Sequence, residues 1–149
     1  MKKFFLPALA VICSIATLFI SAGCSGVTES KIFLIEDYYG VSLPRGAELV
    51  YECEDFGWLG DGTGYYVFAC DSEPEEFISD MASVKGGGEE LKGELETYFA
   101  DAMKKLSVES RYRPDLSVGF YWNYVESLGG LPAIYTPAEK KLYICMTRI

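Results

Sequence analysis

The chain has 149 residues, with 22 Asp or Glu against 13 Lys or Arg, a net charge of −9, five cysteines and no histidine. Without histidine, the Ser/His/Asp and Cys/His catalytic arrangements and the usual His-bearing zinc sites are excluded. The acidic excess argues against nucleic acid as a partner.

Met1, Lys2 and Lys3 precede an apolar run from Phe4 to Ile20, closed by Ser21, Ala22 and Gly23 directly before Cys24. This is the layout of a secretory signal, with a basic start, a bilayer-partitioning stretch and small residues at the cut. An uncleaved membrane span is the alternative, since about 17 apolar residues reach the lower limit for crossing. Pro7, Ser14 and Thr17 weaken that span. Ser21-Ala22-Gly23-Cys24 resembles the lipobox of bacterial lipoproteins, with Ser21 where Leu is usual. The resemblance implies a signal over 1–23, a lipid on Cys24 and a domain held on the outer face of a cell membrane or outer membrane. Loss of Lys2 and Lys3 with the leader leaves 22 acids against 11 bases, a net charge of −11.

Residues 24–30 are small and polar and read as a lipidated tether, with a single domain over 31–149. Ile32, Phe33, Ile35, Tyr38 and Tyr39 suit a short helix from Ser30 to Tyr39, stopped by Gly40 and Pro44. From Ala47 to Asp55, Leu49, Tyr51 and Cys53 alternate with Glu48, Val50, Glu52 and Glu54, which predicts a strand with one wet face. Gly64 to Asp71 predicts a second strand, buried on both sides, after a glycine-punctuated hairpin. If that hairpin centres near Asp61 and Gly62, Cys53 faces Cys70 and a disulfide between them becomes a candidate.

Ser72 is a candidate cap for a helix opened by Pro74, Glu75 and Glu76 and broken at Gly86-Gly87-Gly88. A longer helix is expected from Glu89 to Leu106, with Leu91, Leu95, Tyr98, Phe99, Ala102, Met103 and Leu106 on one stripe. Ser117 to Val125 alternates as a strand, and Leu131 to Tyr135 with Lys141 to Arg148 make a closing hairpin. The order implies an α+β domain: a mostly antiparallel sheet of about five strands with two or three helices packed on one face.

Gly60-Asp61-Gly62-Thr63-Gly64 looks like an oxygen-rich cation loop but lacks the alternating ligands and closing Glu of an EF-hand. No metal or other cofactor is expected. Glu52, Glu54, Asp55 and Glu126 supply carboxylates without the spacing that marks a catalytic pair, so no catalytic residue is assigned. Aromatic residues make up 15% of the chain, and Trp58 on the glycine-rich loop is the ring best placed for exposure. Trp58, Asp61 and Tyr121 are the candidate binding residues.

Tyr39-Gly40-Val41-Ser42-Leu43-Pro44, Gly60-Asp61-Gly62, Tyr66-Val67-Phe68, Ala133-Ile134-Tyr135 and Leu142-Tyr143-Ile144-Cys145 together resemble small uncharacterised bacterial surface lipoproteins. That resemblance implies no activity. The expected function is non-enzymatic, namely an anchored binding domain whose partner is an envelope or secreted protein. The alternative is an acidic inhibitor or immunity-type protein against a cationic toxin or lytic enzyme, because residues 48–101 hold 15 acids against Lys85 and Lys92. A carboxylate-dependent hydrolase is a third reading.

Overall fold

The computed structural model describes residues 26–79, 82–84, 89–127 and 129–149. The leader, Cys24 and the triple glycine at 86–88 lie outside these residues.

A helix α1 over 26–39 leads into strands β1 (Glu48–Phe56) and β2 (Gly62–Ala69). A single helical turn α2 (Glu75–Ile78), a short strand β3 (Ala82–Val84) and a long helix α3 (Glu89–Lys105) follow. Strands β4 (Phe120–Ser127), β5 (Gly129–Thr136) and β6 (Lys141–Arg148) complete the chain. Among the described residues the strands form one six-stranded antiparallel sheet in the order β1-β2-β6-β5-β4-β3. The α+β, mostly antiparallel expectation therefore holds.

The helices, however, do not share one face. Ile35 and Tyr39 of α1 pack with Tyr66, Phe68, Ala133, Leu142, Ile144 and Met146, and Phe77 of α2 joins them. Phe99, Ala102 and Leu106 of α3 pack with Tyr65, Val67, Ile134, Tyr143 and Cys145 on the opposite face. Alternate residues of β2 and β6 serve the two cores, which is why Tyr65 to Phe68 and Leu142 to Met146 are buried without interruption. Those runs are the trace of a sheet covered on both sides.

Three further expectations change. The turn of α1 at 26–30 is already helical, so the segment suggested as a tether is largely part of the fold. Helix α2 stops after one turn and its N-cap is Pro74, with no side-chain cap bond from Ser72. The chain then forms β3, an edge strand of three residues that pairs with β4 and was not foreseen. In β1 the expected alternation holds, with Glu48, Val50, Glu52 and Glu54 exposed and Leu49, Tyr51 and Cys53 half-buried, but the inward residues divide between the two cores. The strand's register shifts between Leu49 and Tyr51, so Val50 forms a bulge. Before the bulge Leu49 packs with the α1-side core, and beyond it Tyr51 and Cys53 pack with the α3-side core.

The bulge also places Glu52 and Glu54 on the α1 side, where they remain solvent-exposed but lie within reach of Lys31. Lys31 Nζ lies 2.5 Å from Glu54 Oε1 and 3.3 Å from Glu52 Oε2. The Tyr66 hydroxyl donates to the same Glu54 oxygen at 2.5 Å. Burial acts to raise the Glu54 pKa, but the hydrogen bonds from Lys31 and Tyr66 outweigh it and hold the carboxyl below its ordinary value. Desolvation likewise opposes the Lys31 charge, and the two glutamates reverse that and raise it.

A carboxyl lowered on folding contributes stability above its unfolded pKa, about 4.3, and that contribution is lost as pH falls through the folded value. A raised lysine contributes below about 10.4 and loses its share above. Replacing Lys31 with Met is therefore expected to flatten the acid limb of a Tm-against-pH curve between about pH 2 and 5. An acid limb identical to the native one would show that this network does not govern acid stability.

Candidate functional site

The sheet has two poles. At one, the β1–β2 loop closes with a hydrogen bond from Gly57 N to Asp61 O at 2.6 Å and one from Gly60 N to Gly57 O at 2.9 Å. These bonds close the loop on itself and leave its apex facing solvent. Trp58 stands there 96% exposed and Leu59 78% exposed. An indole so fully in water contributes almost nothing to the fold.

Beneath this loop, Arg148 at the end of β6 lies on the α1 side, since Leu142, Ile144 and Met146 before it line that core. Its guanidinium carbon sits 4.6 Å from the centre of the Tyr38 ring and 5.7 Å from that of Phe56. Tyr39, next along α1, donates its hydroxyl to Thr147 O at 2.7 Å and ties the helix end to β6. Burial pushes the Tyr39 pKa up to about 12, against the pull of the nearby Arg148 charge. Gly60 brings the loop down on Arg148: a Cβ there would stand 3.7 Å from Nη2.

Helix α1 runs from the far pole to this one. Thr28 Oγ1 accepts from Leu49 N at 3.4 Å near the start of β1, Lys31 reaches Glu52 and Glu54 midway, and Tyr38 arrives at Arg148. Over 14 residues the helix covers about 20 Å. Its first turn, two residues after Cys24, and the Trp58 tip therefore lie at opposite ends of the domain.

Of the sequence candidates, Trp58 and Asp61 meet in this loop, but they differ in kind. Asp61 closes the loop through its carbonyl, and a side chain at Gly57 would collide with its carboxylate at 2.7 Å. Tyr121 is elsewhere: it is half-buried on β4, 6.4 Å from the Tyr135 ring. Its row runs through Tyr135, Leu142, Phe68 and Leu49, the end of the sheet away from the hairpin. It packs against the α1-side core and joins no binding surface with Trp58.

The candidate disulfide is corrected as well. Cys53 pairs with Tyr65, because the hairpin centres on Leu59 rather than between Asp61 and Gly62. Cys53 packs toward α3, where its thiol donates to Leu106 O at 3.3 Å, and Cys70 packs toward α1. Cys53, Cys70 and Cys145 are all free.

Arg148, Tyr38, Phe56 and Lys31 escaped the sequence reading. For Arg148 the available signal was a cation continuing the core-facing alternation of β6.

A concavity of about 810 Å³ opens between the 40–45 segment and residues 72–77. Glu36, Glu73 and Glu75 line it with Arg45, Ser42 and Asn123. Glu36 is partly committed there, accepting from Leu43 N at 2.6 Å.

No helix of the described residues is long and apolar enough to cross a membrane. No family model, curated protein or solved structure matches this chain.

Proposed function

We propose that this chain is a lipid-anchored, extracytoplasmic binding module of the cell envelope, related to the small surface lipoproteins its sequence resembles, and that it presents the β1–β2 hairpin to a protein partner. The observation that carries this reading is Trp58, 96% exposed on an internally bonded loop. Support for its orientation comes from α1, which starts two residues after Cys24 and delivers the hairpin to the other pole. A lipid at Cys24 then points the hairpin away from the bilayer. The apolar tip meets proteins rather than acyl chains.

Tryptophan is among the residues that dominate binding energies at interfaces, where truncation costs about 2 kcal/mol or more. Trp58→Ala is therefore expected to weaken partner binding by about 30-fold. The Tm should stay unchanged, because the ring packs on nothing. Capture from envelope extracts by the purified protein, native beside Trp58→Ala, is the test. Identical captured proteins from both would end this reading.

The acidic-inhibitor reading draws on the cleft with Glu36, Glu73 and Glu75. It calls for a cationic partner whose capture is lost in high salt and indifferent to Trp58.

A further inference from the structure

We infer that Arg148, clasped between Tyr38 and Phe56 beneath the hairpin loop, is a recognition site for a carboxylate borne by an acidic peptide partner. The inference rests on the hairpin being the presented surface and assigns the chemistry of what docks there.

A buried, unaccepted nitrogen sets Arg148 apart from the other described cations. Lys31, Lys105, Arg111 and Lys141 each lie within 4 Å of a carboxylate. Among the described side chains Arg148, like Arg45, Lys104, Arg113 and Lys140, has no such partner, although acids outnumber bases two to one after the leader. Its Nε is buried without a hydrogen-bond acceptor, while the side chain as a whole remains partly exposed. A guanidinium is charged at every accessible pH, so an unpaired one held against apolar rings persists at a cost in desolvation.

Geometry suits a carboxylate. The rings of Tyr38 and Phe56 hold the guanidinium in one place through cation–π contact. A guanidinium's N–H donors project in its own plane, where a carboxylate accepts two in parallel. Fixing the group beforehand removes part of the ordering cost of binding. Trp58 and Leu59 directly precede Gly60, whose backbone lies against the guanidinium, so apolar surface adjoins the cation. An acidic side chain beside an apolar one matches that pairing.

The site can be probed without the partner. Full-length protein in detergent is titrated with 3-phenylpropionate, following the Arg148 Nε–H resonance by arginine-selective NMR. 3-Phenylpropionamide and inorganic phosphate are the comparison probes. The carboxylate is expected to give a saturable shift at millimolar concentration, and the amide to bind about tenfold more weakly. Arg148→Gln should abolish binding, and Arg148→Lys, which keeps the charge without the planar fork, should weaken it about tenfold.

Equal binding of carboxylate and amide, tighter binding of phosphate, or retention by a folded Arg148→Gln protein each overturns the assignment. The amide and phosphate arms stand even if that variant does not fold. If the titration fails while Trp58→Ala still loses its captured partner, the carboxylate assignment falls and the hairpin reading remains. The reverse pattern removes the hairpin reading alone.

Discussion

Replacing Gly62 with alanine is expected to destabilise the domain by about 3 kcal/mol or more and to take the hairpin surface with it. Gly62 opens β2 directly opposite Phe56, with φ at +144°, a conformation that a side chain rarely adopts. A Cβ there would stand 2.1 Å from Asp55 O and 2.7 Å from Phe56 Cα. Both are backbone atoms of the paired strand, and no rotamer change relieves them. The strands must part at the point where the loop closes, and Phe56 and Gly60 must then move away from Arg148. Gly46→Ala is the control: φ is +75° and nothing lies within 4 Å of the added carbon. It should cost only the left-handed backbone penalty, about 1 to 2 kcal/mol. Urea unfolding of both variants checks this. Equal losses would show that the close approach at Gly62 is not what constrains it.

Phe99→Ala is expected to cost about 3–5 kcal/mol, the range for removing a large buried ring. Phe99 is fully buried and meets the Tyr65 ring edge-on, with centroids 6.2 Å apart at 86°. It lies in the core that joins α3 to the sheet, so its loss leaves a cavity between two elements that neither can close alone. Its neighbour Tyr98, expected on the same apolar stripe, is instead 51% exposed and stacks on Tyr124 at 5.4 Å, because adjacent helix positions point about 100° apart. Tyr98→Ala should cost about 1 kcal/mol. Similar losses for these adjacent residues, measured by thermal or urea unfolding, would contradict the assigned face of α3.

Much of the domain was legible because most elements obey their own periodicity. The stripe through Phe99, Ala102 and Leu106 marked α3, and its inward residues are the buried ones. Lys141–Arg148 was placed at its observed limits, since turn residues bound it on one side and alternation runs through it. Strand β3 was missed because three residues hold too little pattern to oppose a helical reading. Trp58 was legible as exposed because a glycine-rich tip offers no surface to cover it. Arg148 was not, since its aromatic neighbours lie 110 and 92 positions earlier in the chain.

The sequence by itself determined which residues can be helix or strand, that the domain is α+β, and that Trp58 crowns a turn. Tertiary structure alone decided the register of β1 on β2, which hinges on a bulge at Val50 and a loop of five residues and so separates Cys53 from Cys70. It also decided that α1 and α3 cover opposite faces, that Glu52 and Glu54 meet Lys31, and that Arg148 lies under the hairpin against Tyr38 and Phe56. The reason is physical: periodicity records which side of its own element a residue occupies, whereas what that side meets is set by register and layering between distant segments.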